Sequence, residues 1–203
     1  MQNLSNRPIP DRFQHLLDVM RSEYFLKMEG LNNEIPFFIF PYPPHEHHQI
    51  VSMCKQLVSR LANEGVTVLE INLYDLSIEL LKARGIWEQI LEVEPDFTKE
   101  ELMEDLQGAL NPERHIIPAI ADKMANAHFD ILFLTGVGEV FPYIRSHTIL
   151  NNLQSTAKNC PTVLWFPGEY TFTTQGGSSL DLFGRLHDDK YYRAFNILDY
   201  QLT

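Results

Sequence analysis

Short runs of apolar residues alternate along this chain with longer segments in which apolar residues recur every three or four positions. Fully apolar runs are typical of strands buried on both faces of a sheet, and the longer periodic segments are typical of amphipathic helices. The pattern predicts five strands, at residues 35–40, 66–73, 129–134, 162–166 and 194–200. Because helices are predicted between them, we expect a mostly parallel sheet with right-handed crossovers.

The predicted helices fill most of the remaining chain. Residues 1–10 are expected to be extended because Pro8 and Pro10 disfavour a helix, so that Asp11 caps a first helix that stops at Gly30. A polar, glycine-rich loop is predicted at residues 169–179. Further helices are predicted at 45–63 and 74–83, with a short helix or turn at 180–186.

Residues 86–127 contain no convincing strand and predict a helical insertion between the second and third strands. Pro95 and the Asn111-Pro112 pair divide it into two or three helices. Its acids are Glu92, Glu94, Asp96, Glu100, Glu101, Glu104 and Asp105. So many carboxylates are more typical of a hydrated helix face than of catalytic acid pairs.

The length and composition suit one domain. The chain has 203 residues, of which 44% are hydrophobic and 21% charged, as in an ordinary globular protein. We therefore predict a single three-layer α/β domain over residues 1–203. Its mostly parallel five-stranded sheet, with helices on both faces, would be similar to P-loop and Rossmann scaffolds.

The strand predicted at 129–134 is fully apolar, and a glycine turn follows it at Thr135-Gly136-Val137-Gly138. Ligands and partners of open α/β sheets bind at the carboxyl ends of the strands. We expect a helix to follow the turn, with polar groups displayed near its start. This predicted polar rim consists of Gly136, Gly138, Glu139, Tyr143, Arg145 and His147. Arg145 either binds a ligand there or pairs with one of the many acids, and Glu139 either acts as a base or caps the helix.

The loop after the first strand is where a phosphate-binding loop would lie, but its sequence is unsuited to that chemistry. Residues 40–50 read FPYPPHEHHQI, without a glycine and without a lysine followed by serine or threonine. Prolines lack the backbone N–H groups that cradle phosphates. A complete GxGxxG fingerprint is also missing, since Gly138 is followed by Glu139-Val140-Phe141. We therefore predict a scaffold that lacks a phosphate loop.

One concentrated set of potential metal ligands opens the helix predicted at 45–63: His45, Glu46, His47 and His48. A site would need a further ligand, and the candidates are a distant acid, His115, His128 or His147. Adjacent side chains at a helix start diverge, and no HExxH or CxxC spacing completes the set. A hydrated helix start with Glu46 complementing the dipole is favoured, and whether His45, His47 or His48 binds a metal stays open.

No nucleophile can be identified from a motif. The pairs Ser146-His147 and Ser178-Ser179 offer hydroxyl groups, but GxSxG is absent. Cys54 and Cys160 occur in neither a CxxC nor a CxxH pattern and are expected to be small buried hydrophobes. No catalytic residue, metal ligand or cofactor-binding residue is therefore assigned.

The net charge and the N-terminal sequence indicate where the protein is located and which partners it can bind. The formal net charge of -11 disfavours direct nucleic-acid binding, which needs clustered lysine and arginine. The start of the chain has no apolar signal core, and no apolar run is long enough to span a bilayer. With only two unpaired-looking cysteines, we expect a cytoplasmic protein without membrane association.

Several blocks of the sequence resemble a known family. They are FLTGVGEVFPYIRSHTILNNLQ, PTVLWFPGEYT, LFGRLHDDKYYRAFNI, IPFFIFPYPP and VTVLEINLYDL. Together they span nearly the whole chain and are similar to the BrxB family of the bacteriophage-exclusion (BREX) systems of bacteria. TGVGEVFPYIRSH and LWFPGEY are the most specific, because they are not general features of the fold.

The resemblance implies a role in antiviral defence without an assigned catalytic activity. BrxB-like proteins are encoded beside a methyltransferase, a large ATPase and PglZ, so PglZ is the first expected partner and the large ATPase the second. We therefore predict a non-catalytic assembly or regulatory subunit, with the polar rim and the adjacent 167–179 loop as its partner surface. The alternative is an enzyme class: a metal-dependent nuclease or a degenerate nucleotide-binding protein.

Overall fold

A computed structural model describes residues 4–29, 35–173, 177–185 and 194–201 of the chain. The strands in these residues are β1 (Phe37–Tyr42), β2 (Val68–Asn72), β3 (Ile131–Thr135), β4 (Thr162–Thr173), β5 (Gly177–Leu182) and β6 (Phe195–Asn196). The helices are α1 (Ile9–Met20), α2 (Glu23–Leu26), α3 (His47–Asn63), α4 (Leu73–Ala83), α5 (Trp87–Val93), α6 (Lys99–Ala109), α7 (Ile117–Ala125) and α8 (Ser146–Leu153).

The strands form one sheet in the order β2-β3-β4-β1-β6, and all four of these pairings are parallel. The remaining strand, β5, pairs antiparallel with the outer part of β4. A mostly parallel sheet is thus confirmed. Because the strands are parallel, the carboxyl ends of β1, β2 and β3 lie along one edge.

The central strands are buried on both faces, which is why they read as unbroken apolar runs. Successive side chains point to opposite faces, so each strand contributes to two separate cores. In β3, Leu132 and Leu134 belong to one core, whereas Ile131 and Phe133 belong to the other. The four side chains are each 0% exposed, so neither face of β3 is open to solvent.

Helices cover both faces of the sheet. One core receives α1 through Leu16 and α3 through Leu57. The other core receives α4 through Leu76, α7 through Ile120 and α8 through Leu153. The predicted three-layer architecture is confirmed. Residues 86–127 contain helices α5, α6 and α7 and no strand.

The segment after β4 differs from its prediction. Residues 169–173, expected to be in a loop, continue β4, and residues 177–182 form β5 instead of a loop followed by a helix or turn. The two strands pair from Gly168 with Leu182 to Thr173 with Gly177. Tyr170, Leu180 and Leu182 turn inward to the core, and this alternation of polar and apolar residues stabilises a hairpin. Residues 174–176 and 186 of the predicted loop and turn lie outside the described residues.

The predicted fifth strand is mostly not a strand. Only Phe195–Asn196 pairs with β1, and a 3₁₀ turn follows at Ile197–Asp199. The side-chain oxygen of Asn196 accepts a hydrogen bond from Leu198 N at 3.1 Å. An asparagine that caps the next turn ends the strand, although the apolar residues around it suggest that it continues.

The first helix starts earlier and ends sooner than expected. It begins at Ile9, after Pro8, and ends at Met20, where Ser22 caps the short helix α2. Asp11 lies within the first turn instead of capping the helix. Proline is compatible with a first helical turn, because N–H groups there have no intrahelical partner. The predicted stop at Gly30 lies outside the described residues.

An ion pair at the edge of the sheet links α1 to the beginning of α3. Arg12 is 1% exposed although it is charged, and its Nη2 atom lies 2.5 Å from Oε2 of Glu46, whose side chain is 22% exposed. Glu46 ends the 3₁₀ turn Pro44–Glu46 that joins β1 to α3. The pair therefore fixes the connection that follows the carboxyl end of β1.

We expect Glu46→Ala to lower the free energy of unfolding by about 3 kcal/mol, because it leaves the buried Arg12 cation without its counter-charge. Urea denaturation followed by circular dichroism would measure the change. Glu23→Ala, which breaks the solvent-exposed pair with Lys27, is the matched control and should change stability little.

The double variant Arg12→Met, Glu46→Ala should recover much of the lost stability, because it removes the buried charge as well as its partner. Equal stability of Glu46→Ala and the wild-type chain would contradict a structural role for this pair.

Candidate functional site

A cleft of about 460 Å³ opens at the carboxyl edge of the sheet. Its base is formed by residues at the ends of the parallel strands, among them Tyr42, Asn72 and Thr135. Helices α3 and α4 border it, and Lys123 reaches it from α7. The carboxyl edge is where ligands of open α/β sheets bind, so this cleft is the candidate site.

Acidic side chains outnumber basic ones in the cleft. Four carboxylates line it, whereas the lysines are two; these residues are Glu70, Asp75, Glu79, Glu139, Lys55 and Lys123. Lys123 Nζ pairs with Glu79 Oε2 at 2.8 Å, and Thr135 Oγ1 donates to Glu70 Oε1 at 3.1 Å. Among the described residues, neither Asp75 nor Lys55 forms an ion pair. An anion entering the cleft would thus meet more negative than positive charge.

His47 joins two sides of the cleft. Its Nδ1 atom lies 3.0 Å from the hydroxyl oxygen of Tyr42 at the end of β1. Its Nε2 atom lies 3.5 Å from Oε1 of Glu139, in the turn after β3. Both ring nitrogens thus face side chains of the chain itself, so His47 holds the start of α3 against the neighbouring turn.

The connection between β1 and α3 does not form a phosphate cradle. It consists of Pro43 and the 3₁₀ turn Pro44–Glu46, and Glu46 N donates back to Pro43 O at 2.9 Å. Pro43 and Pro44 have no N–H group to offer a ligand. Glu46 adds a carboxylate where a phosphate-binding helix would present its positive end.

The thiol and the phenol beside the cleft are held in their neutral forms. Burial raises the pKa of Cys54 above its usual range, and Glu70 adds to the effect. Burial also raises the pKa of Tyr42, with Glu139 as a second cause. Because the thiolate is the reactive form of cysteine, Cys54 is poorly suited to act as a nucleophile.

The glycines after β3 serve packing between chain segments. Gly136 has a φ of +74°, and a Cβ atom there would lie 2.4 Å from Oδ1 of Asn72. That same oxygen caps α4 by accepting hydrogen bonds from Tyr74 N at 2.9 Å and Asp75 N at 3.2 Å. A Cβ atom on Gly138 would lie 2.9 Å from Cγ of Pro167. The turn that the sequence suggests for a ligand is thus occupied by the protein's own side chains.

The predicted polar rim is not one continuous surface. Gly136 and Glu139 line the cleft, whereas Tyr143 lines a separate apolar pocket against α4, α5 and α6. Arg145 is exposed at the N-terminal boundary of α8 and forms no ion pair with any residue that the structure describes. His147 is only 7% exposed within α8, so its side chain lies in the interior and not on the predicted rim.

The helix expected directly after Gly138 begins only at Ser146, and the intervening turn separates the rim residues. Glu139 consequently does not cap a helix; it lies in the turn and faces His47.

The histidine cluster lacks a complete ligand set. Across residues 4–29, 35–173, 177–185 and 194–201, no three side chains of His, Cys, Asp or Glu gather closely enough to hold a metal ion. His45 and His48 are exposed, and only His47 faces the cleft. The metal hypothesis for His45, His47 and His48 therefore has no third ligand in this part of the chain.

Much of the cleft was missed at the sequence level. Asn72 has a readable signal, since an asparagine at the end of a strand and just before an amphipathic segment is typical of a helix cap. Lys123 and Glu79 pair although they lie 44 residues apart in the chain, on different helices. The contact between Glu139 and His47 depends on the order of the strands in the sheet. Neither contact leaves a local pattern.

Comparisons with known proteins support one family. The model of the family described as BREX protein BrxB matches residues 69–197. A "BREX protein BrxB" from Bacillus cereus (strain H3081.97) is 36% identical over 197 residues, covering 95% of this chain and 99% of the relative. A second, from Escherichia coli O9:H4 (strain HS), is 30% identical over 187 residues, covering 92% and 90%. No solved structure matches.

The fold and cleft define an α/β sheet protein whose first strand leads into a proline-rich turn instead of a phosphate loop. By sequence, the chain belongs to the BrxB family of BREX defence-system proteins. The resemblance of the TGVGEVFPYIRSH and LWFPGEY blocks is thereby confirmed. Among the described residues, no helix has the length and apolar character needed to cross a membrane.

We expect Gly136→Ala to lower the free energy of unfolding by at least about 2 kcal/mol, since it combines a strained backbone with the loss of the Asn72 cap. Chemical denaturation would measure the loss. Gly85→Ala is the matched control, because Gly85 has a similar φ of +69° but no neighbouring heavy atom within 4 Å of an added Cβ atom. Equal losses in the two variants would show that the contact with Asn72 contributes nothing.

Proposed function

We propose that this chain is a non-catalytic assembly or regulatory subunit of a BREX system, and that the cleft at the carboxyl edge binds another protein of the system. The observation that carries the proposal is the excess of carboxylates in the cleft. Glu70, Asp75, Glu79 and Glu139 oppose a phosphate or a nucleic acid but suit a basic side chain of a partner.

The side chains around the cleft support binding more than catalysis. Cys54 and Tyr42 stay protonated, and His47 is engaged by Tyr42 and Glu139. A general base must reach the proton that it removes, and a nucleophile must be within reach of its base. Among the described residues, His47 has no hydrogen bond to Cys54 or to a serine, so it is not placed to activate either one as a nucleophile. These arrangements support a binding role for the polar groups of the cleft.

The geometry favours a lysine or arginine side chain as the part of the partner that enters the cleft. Asp75 is exposed and, among the described residues, has no ion-pair partner, so it can accept hydrogen bonds from a guanidinium or ammonium group. Lys123 already neutralises Glu79, which leaves Glu70, Asp75 and Glu139 without a lysine or arginine partner among the described residues; of these, Glu139 faces His47.

PglZ is the first candidate partner and the large ATPase the second, on the basis of the family to which the chain belongs. A reducing cytoplasm is the proposed location, and two free cysteines, Cys54 and Cys160, fit it. One alternative function, a degenerate nucleotide-binding protein, would place an anionic ligand against surplus negative charge. The other, a metal-dependent nuclease, would need carboxylates gathered around a metal, and no group of three potential ligands is found among the described residues.

Co-purification of the chain with PglZ and with the large ATPase tests the proposal. We expect Asp75→Lys combined with Glu139→Lys to reduce the co-purified partner at least about 10-fold, because the change reverses the charge that the partner faces. Glu113→Lys is the matched control: it makes the same kind of change at an exposed residue that does not line the cleft.

Retention of every partner by the Asp75→Lys, Glu139→Lys variant would contradict the cleft as the binding surface. Arg145→Glu and Tyr143→Ala test the remainder of the rim in the same assay. Stoichiometric metal that is lost on His47→Ala, or thermal stabilisation by a nucleotide, would overturn the non-catalytic proposal.

A further inference from the structure

The helical insertion carries an apolar surface that the rest of the chain does not cover. Helices α5 and α6 contribute no fully buried residue, and every residue from 91 to 101 is exposed. The large apolar side chains among them are Leu91, Val93 and Phe97, which are 43%, 38% and 36% exposed. These three side chains lie within seven consecutive residues, and exposed apolar surface that borders a pocket is a candidate interaction site.

A small pocket lies beside this cluster. It measures about 190 Å³ and is walled by residues of α4, α5 and α6, including Ile78, Ile90 and Leu106. Leu91 lines the pocket and is also part of the exposed cluster. We call the pocket together with Leu91, Val93 and Phe97 the insertion surface. Its size suits one or two apolar side chains inserted from outside.

Charge at the insertion surface is mostly negative, although Lys82 Nζ lies 5.6 Å from the ring centroid of Trp87 at the pocket. Between residues 88 and 105 the chain has one cation, Lys99, and eight acids: Glu88, Glu92, Glu94, Asp96, Glu100, Glu101, Glu104 and Asp105. Within the part of the chain that the structure describes, none of the eight forms an ion pair. Glu101 alone has a local role, accepting hydrogen bonds from Thr98 in a capping box.

This charge excludes several occupants. A second copy of the chain would bring the same acids together in a two-fold contact, where they would repel one another. Nucleic acids and anionic membranes are repelled for the same reason. A partner that buries the apolar cluster must therefore place basic residues around its own apolar residues.

We propose that the insertion surface binds a basic amphipathic helix of a partner protein, with apolar side chains in the pocket and lysine or arginine against the acids. Such a helix carries its anchors at three- and four-residue spacing and its charges beside them. The inference rests on the proposed function in that the chain acts by binding protein partners, and it adds a second surface, distinct from the cleft at Asp75 and Glu139.

Fluorescence anisotropy with a defined probe tests this inference. The probe is a labelled peptide of about 14 residues, made of leucine and lysine with the leucines at helical spacing. A peptide of the same composition with leucine and lysine alternating is its control. We expect the helical peptide to bind the full chain with a Kd on the order of 10 µM and the alternating peptide at least about 10-fold more weakly.

Variants then locate the binding. Leu91→Ser combined with Phe97→Ser should raise the Kd at least about 10-fold without changing the net charge. Val51→Ser is the matched control, because Val51 is 40% exposed but lines the cleft at the sheet edge. Glu100→Lys combined with Glu104→Lys changes only exposed acids and should also weaken binding, independently of the apolar cluster.

Equal affinity of the wild-type chain and the Leu91→Ser, Phe97→Ser variant would overturn the inference, as would equal binding of the two peptides. Either result leaves co-purification through the cleft unaffected. Retention of every partner by the Asp75→Lys, Glu139→Lys variant, with peptide binding as expected, would instead contradict the proposed function alone.

Discussion

Burial of both faces of the central strands is the constraint on which the rest of this protein depends. Phe133 in β3 and Leu164 in β4 are each 0% exposed, and the residues next to them in sequence are buried on the opposite face. A sheet of this kind must be covered by helices on both sides, so its faces cannot present polar groups. Polar chemistry is consequently confined to the ends of the strands and to segments that extend beyond the layers.

Phosphate-binding α/β proteins present backbone N–H groups at the carboxyl ends of their strands. At the same place, this chain has contacts between side chains. Arg12 anchors Glu46 below the β1–α3 connection, His47 reaches from α3 to Glu139, and Asn72 packs against Gly136 while it caps α4. These contacts close the edge around an acidic cleft. The same sheet that could present a nucleotide therefore presents carboxylates, which suits a basic protein surface.

The helical insertion differs from the sheet in how far its residues are buried. Its helices α5 and α6 contribute no fully buried residue, although Trp87, Ile90 and Leu106 pack partly buried against the core. A capping box at Thr98 and Glu101 sets the start of α6 without help from tertiary packing. A helix that is formed locally and borders an open apolar pocket is well suited to receive a partner.

The layers of the fold can be predicted from the sequence alone, but the strand ends and the hairpin at the edges of the sheet cannot. Apolar runs such as 129–134 predict buried strands because no other environment tolerates them, and α3 and α4 follow from helical spacing. The hairpin of β4 and β5 was missed because glycine and serine residues masked the alternation around Tyr170 and Leu180. The end of β6 depends on one hydrogen bond from Leu198 to Asn196.

The rim is predicted at the edge of the sheet where the cleft lies, but its members do not share one surface. Gly136 and Glu139 line the cleft, Tyr143 faces the insertion, and His147 is buried, because a turn and not a helix follows β3. Directions of side chains in an irregular turn depend on tertiary contacts such as that between Gly138 and Pro167. No periodicity in the sequence reports such contacts.

Hydrogen–deuterium exchange of the chain, alone and with PglZ, the large ATPase or magnesium-ATP, tests the central claim most directly. Binding of a protein partner at the cleft predicts slower exchange in the amides of residues 43–55, 72–79 and 135–139 when the partner is present, and unchanged exchange with magnesium-ATP. Protection of these residues by magnesium-ATP, with no protection by either protein, would contradict the assignment of this chain as a protein-binding subunit.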